Sequence, residues 1–202
     1  MILFFDTETT GKADFRAEPD APHQPRLVQL AAILTDNDGK EMGSLNLIIK
    51  PDGFEIPTDA SRVHGITTKT AIEYGVGLEA ALPIFAQLAL KPHLIVAHNF
   101  DFDLLIMRGE FLRCGFEEDP FEGALKFCTM REMTPLCKLP GKYDDYKWPK
   151  LQEAHIHAFG SEFDDAHDAL ADVRACAKLY FWLRNLKKIT PNETALSSTG
   201  VS

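Results

Sequence analysis

The 202-residue chain lacks a basic surplus: 21 lysines and arginines stand against 30 aspartates and glutamates, leaving a net charge of −9. That excludes a broad positive surface of the kind that grips duplex nucleic acid. A protein that holds only a chain end remains open, because carboxylates that bind divalent cations count as negative until the ions are included. Long hydrophobic runs are missing too. Stretches such as Leu94 to Ala97 and Met1 to Phe5 are far too short to cross a bilayer, so no membrane association is expected. Met1 to Phe5 has no basic start and stops at Asp6, unlike a signal peptide, so the expected location is the cytoplasm. Cysteine is sparse: Cys114, Cys128, Cys137 and Cys176 show no C-x-x-C spacing, and His155 and His157 lie near no cysteine pair. Buried reduced thiols are expected rather than zinc.

What is present is the balance of one soluble globular domain, 45% apolar and 25% charged. Ile2 to Phe5 reads as a buried strand leading into Asp6. Arg26 to Thr35 and Ser44 to Ile49 read as two more, joined through the turn Asn37-Asp38-Gly39. The proline-containing residues 12–25 read as a surface loop. Helices are expected over residues 58–64, 78–91 and 103–114, around Arg131 and Leu151, and over Asp165 to Leu186. Short strands are expected at Leu94 to Ala97 and near Lys126 to Thr129. This order predicts an α/β fold with a mixed central sheet and helices packed on it. Residues 1–186 form the expected domain, and the polar residues 187–202 a flexible tail.

Three segments carry clustered polar residues. Asp6 and Glu8 are two apart on a strand, so both point to one face and can share a cation. With 30 acids in the chain, about four such pairs arise by chance, and a solvated strand end is the alternative reading. The context of a buried strand favours a cation, since a desolvated acid stays ionised only when paired or metal-bound. His98-Asn99-Phe100-Asp101-Phe102-Asp103 follows the apolar strand at residues 94–97, where α/β proteins place sites. Capping of the next helix by Asn99 or Asp101 is also open. Finally, His167 and Asp172 lie five apart near the start of the last helix. They share no face of a regular helix unless His167 precedes the first turn.

Taken together, the three segments resemble the DEDDh family of 3′–5′ exonucleases, which includes the proofreading epsilon subunit of bacterial DNA polymerase III. Phe5-Asp6-Thr7-Glu8-Thr9-Thr10-Gly11 matches the first motif. His98, Asn99, Phe102 and Asp103 match His-Asn-x-x-Phe-Asp, and His167 with Asp172 matches His-x4-Asp. Val63-His64-Gly65-Ile66-Thr67 and Tyr146-Lys147-Trp148-Pro149-Lys150-Leu151 are similar to the family as well. The family spacing selects Asp103 for the metal site, with Asp101 as the alternative.

The resemblance implies an RNase H-like fold with helices on both sheet faces, and two divalent ions, Mg²⁺ or Mn²⁺. It implies catalytic roles for Asp6, Glu8, Asp103, Asp172 and His167. Asp6 would bridge the ions, Glu8 and Asp172 would hold one, and Asp103 would support the other. His167 would accept the proton of the attacking water, as suits an imidazole, which ordinarily titrates near neutrality. Thr7, Thr9, Thr10, His64 and Phe102 are the substrate-contacting candidates. His98 and Asn99 are expected to order the surroundings of the site. The implied substrate is the single-stranded 3′ end of DNA, with RNA as the alternative. A DNA polymerase is the implied partner, in proofreading or repair. A binding module without activity is a third reading, against which all five motif positions are intact. Residues 126–150 carry Lys126, Arg131, Lys138, Lys142, Lys147 and Lys150, which either hold a strand's phosphates or are simply solvated.

Overall fold

Alternation along the first strand sets the layers. In the computed structural model, which describes residues 1–143 and 145–187, β1 runs from Ile2 to Thr9. Leu3 and Phe5 join one core cluster and Ile2 and Phe4 the other, all fully buried. A strand apolar on both sides needs cover on both.

The sheet has five strands in the order β3-β2-β1-β4-β5. β2 (Leu27–Thr35) and β3 (Glu41–Ile48) complete an antiparallel meander with β1, while β4 (Leu94–Ala97) and β5 (Leu125–Cys128) extend the sheet in parallel. Helices α3 (Leu78–Ala89) and α4 (Phe100–Arg113) pack on the Leu3/Phe5 face. Helices α5 (Thr129–Cys137), α6 (Leu151–Phe159) and α7 (Ala169–Lys187) pack on the Ile2/Phe4 face. On α7, Ala169, Val173, Cys176, Ala177 and Tyr180 line the buried stripe that their spacing predicts. The RNase H-like mixed sheet covered on both faces is thus the observed architecture. Among the described residues no helix is long and apolar enough to cross a membrane.

Several boundaries differ from expectation. α1 (Thr58–His64) is followed by α2 (Thr68–Tyr74), unforeseen because it buries only Ala71 and so shows no apolar period; the Thr67 side chain caps it by accepting from the Thr70 N–H. α4 begins at Phe100, three residues early, after a left-handed Asn99 whose side chain makes no capping bond. α7 begins at Ala169 rather than Asp165, because Asp165 and His167 hold left-handed conformations that no helix admits. Of the four cysteines only Cys176 is buried; Cys128 and Cys137 are half-buried and Cys114 is exposed, and all are free thiols. The predicted tail over residues 187–202 lies, apart from Lys187, outside the described residues.

Candidate active site

β4 pairs with β1 only as far as Phe4, so β1 runs on beyond its parallel neighbour. On this free end Thr7 continues the Leu3/Phe5 face and Asp6 and Glu8 continue the opposite one. α4 starts where β4 stops and brings in Asp103, which is buried. Its Oδ1 accepts from the Thr7 N–H at 3.0 Å and from the Thr7 hydroxyl at 2.7 Å. Asp101 takes the other side of the same helix, exposed and ion-paired with Arg131.

From the other face, α7 brings Asp172. The turn before it is held by Asp168, whose Oδ1 accepts from the N–H groups of Leu170 and Ala171 at 3.1 Å each. The left-handed His167 then folds back, and its own N–H lies 3.3 and 3.4 Å from the two carboxylate oxygens of Asp172. Ligand atoms of Glu8, His167 and Asp172 all lie within 4.8 Å of one another.

The electrostatics follow from crowding acids into a dry corner. Desolvation first, then the charges of Asp103, Asp172 and Glu8, push the Asp6 carboxyl well above its ordinary range. Burial, reinforced by Asp172 and Asp103, raises Glu8 to about 8. Burial raises Asp103 to about 7 against the lowering effect of the Thr7 bonds, and raises Asp172 to about 6. Among the described residues no lysine or arginine forms an ion pair with any of these four acids. Mutually repelling carboxylates, Asp103 buried and the other three half-buried, without a protein counter-charge among the described residues are the donor set that a divalent cation fits.

The exonuclease family, in its RNase T grouping, matches residues 3–180. The chain belongs to this exonuclease family. It is 32% identical over 175 residues to an uncharacterized exonuclease of Escherichia phage 186, covering 85% of this chain and 82% of that one. It is 26% identical over 182 residues to the DNA polymerase III subunit epsilon of Treponema pallidum, covering 87% and 73%. Among solved structures it is similar to the zinc-bound form of the E. coli Exonuclease I complex with single-stranded DNA. That likeness has a TM-score of 0.73 and 26% identity, and covers 93% of this chain but 41% of that one. The exonuclease is of the DEDDh type, a 3′–5′ exonuclease.

The other sequence candidates surround the acids unevenly. In this exonuclease His64 ends α1, where Gly65 takes the left-handed conformation that closes the helix. His64 Nδ1 accepts from the Ile66 N–H at 3.1 Å, so Nε2 carries the hydrogen and faces the Thr9 backbone. Burial lowers its pKa, and the ring sits near the Thr9 backbone and His167. The hydroxyl of Thr9 donates to Gly11 O at 2.8 Å, and Thr10 exchanges two bonds with the Arg26 backbone. Those bonds close the strand end. His98 donates from Nε2 to Pro149 O at 3.0 Å and accepts at Nδ1 from Thr129 Oγ1 at 2.9 Å; burial lowers it to about 4. Phe102 is half-buried and packs on the core.

Gln29 and Asp168 were missed as contributors. Gln29 lies opposite Glu8 in the β1–β2 register and is buried. Its Oε1 accepts from Ala169 N at 3.4 Å, and its Nε2 reaches Asn46 Oδ1 at 2.9 Å and Asp168 Oδ2 at 3.5 Å. It therefore ties the start of α7 to the strand beside Glu8. A polar residue inside an apolar strand is the signal available in the sequence. Gln29→Met keeps the volume and removes these bonds. We expect kcat to fall about tenfold or more with KM nearly unchanged, because misplacement of a catalytic group by about 1 Å can cost about a hundredfold. Steady-state kinetics beside a thermal melt check this, and an unaltered kcat would rule the tether out.

Proposed function

We propose that this exonuclease degrades the single-stranded 3′ end of DNA with Mg²⁺ or Mn²⁺ as its cations. The observation that carries the reading is the meeting of Asp6, Glu8, Asp103 and Asp172, un-neutralised by any basic side chain among the described residues, beside His167. Carboxylate oxygens suit hard cations, and no thiolate joins the cluster. These four acids would hold two ions, which when bound stabilise phosphoryl charge and acidify a water. His167 takes the water's proton at its ring as oxygen attacks the terminal phosphodiester. The bond from phosphorus to the 3′ oxygen of the penultimate nucleotide breaks, that oxygen takes a proton from solvent to become the new 3′-hydroxyl, and a nucleoside 5′-monophosphate leaves.

His64 and the half-buried Phe102 would line the pocket of the terminal nucleotide. Likeness to Exonuclease I bound to single-stranded DNA supports the substrate. Similarity to an epsilon subunit supports a DNA polymerase as partner. Purified protein with Mg²⁺ or Mn²⁺ is expected to shorten 5′-labelled single-stranded DNA in single-nucleotide steps, faster than matched duplex, with a mismatched 3′ end in between. Faster digestion of the matched RNA would overturn the preference for DNA.

A further inference from the structure

Three large aromatic side chains stand in water within six residues of one another. Tyr143 is 76% exposed, Tyr146 48% and Trp148 66%. Rings of this size are normally buried for most of their area, and a group left outside marks a surface that meets a partner. The loop that carries them is closed by its own backbone. Gly141 N–H donates to Asp145 O at 2.8 Å, Lys147 N–H to Leu139 O at 3.0 Å, and Pro140 and Tyr146 form an antiparallel bridge. A side chain at Gly141 would strike Asp145, its Cβ falling 2.1 Å from Oδ1. These bonds tie the described residues on the two sides of the loop together, with the rings outside.

The same loop is basic in an acidic protein. Lys138, Lys142, Lys147 and Lys150 are exposed. Lys142 Nζ sits 5.1 Å from the centre of the Tyr143 ring, and Lys147 is paired with Glu153 at 2.5 Å. The loop's end is pinned to the active site: Pro149 O accepts from His98, which directly follows β4 and precedes the helix bearing Asp103.

We propose that Tyr143, Tyr146 and Trp148, with Lys142, Lys147 and Lys150 beside them, form a stacking platform for the single strand upstream of the nucleotide being removed. The proposal rests on the exonuclease reading of the site. Lys142, Lys147 and Lys150 lie next to or near the rings, with Asp145 between Tyr143 and Tyr146, so phosphates can meet the lysines while bases meet the rings, and stacking on aromatic rings tolerates any base. The platform thus takes a single-stranded polynucleotide of arbitrary sequence, and a strand too short to leave the active site gains nothing from it.

The test compares the wild-type chain with Trp148→Ala and the Tyr143→Ala/Trp148→Ala double variant on dT3 and dT12, with rU3 and rU12 in parallel. KM for the 12-mers is expected to rise about tenfold or more, with kcat and the KM for the 3-mers unchanged. dT12 should also quench the emission of Trp148, a change absent in Trp148→Phe. An unchanged KM for the 12-mers overturns the platform, and so does an equal rise on the 3-mers, which would put the rings at the terminal nucleotide. If the wild-type chain cleaves nothing, the exonuclease reading fails instead, and the quenching by dT12 decides the platform separately.

Discussion

His167→Ala is expected to slow nucleotide release by about a thousandfold, and Asp6→Asn by at least as much, while both variants stay folded. The imidazole is placed by a left-handed backbone against the carboxylates of Glu8 and Asp172. A positioned general base contributes about 10² to 10⁴ in rate. Asp6 lies where the fields of Asp103, Asp172 and Glu8 meet, so on the proposed mechanism it would be the acid whose charge most concerns the cations. Asparagine preserves its shape and removes that charge. Relief of like-charge crowding should also raise the melting temperature of the metal-free Asp6→Asn protein, which separates lost chemistry from lost structure. Release of nucleoside monophosphate at saturating Mg²⁺, beside thermal melts, gives both readings. Undiminished release by both variants would defeat the mechanism.

The metal-free protein should lose stability as pH rises from 6.5 to 8, and divalent cations should restore it. The sign follows from the acids. In the unfolded chain they titrate near 3.8 to 4.5, whereas in the fold Glu8 titrates at about 8, Asp103 at about 7 and Asp6 well above its ordinary value. The folded state thus holds more protons than the unfolded one across this window, and its advantage shrinks as they leave. Their stabilising effect is full below the unfolded values and is lost as pH climbs through the folded ones. Buried His98, lowered to about 4, acts oppositely between about pH 4 and 6.5, so the upper window is the clean one. At about 1.4 kcal/mol per unit the effect amounts to a few kcal/mol, and a melting temperature lower by roughly 10 °C. Mg²⁺ favours the ionised acids and should abolish the drop, adding about 2.7 kcal/mol at a hundred times its Kd. Melts at pH 6.5 and 8, with EDTA or Mg²⁺, measure it; a metal-free protein more stable at pH 8 would refute the account.

Much of the scaffold was legible because it follows from short-range rules. Period-2 alternation in β1 sends Asp6 and Glu8 to one face. The apolar stripe of α7 and the Asn37-Asp38-Gly39 turn are equally local. α2 was not legible, since a helix burying one alanine leaves no periodic trace. The start of α4 was misplaced by three residues because its cap is a left-handed Asn99 and not a capping side chain. The shift matters little for Asp101 and Asp103, which point about 200° apart on any helix. Which of them faces inward depends on where α4 lies against β1, and Thr7 marks that side.

Local chemistry was enough to establish the strand that bears two acids, the alternation of strands with helices, and the motif order that identifies a DEDDh exonuclease. It could not say that Gln29 would tether α7, that Asp101 would turn to Arg131, or that Tyr143, Tyr146 and Trp148 would remain in solvent. The first two depend on contacts between segments tens of residues apart. Burial and field strength, which set the charge state of every acid in the cluster, exist only once those segments have packed.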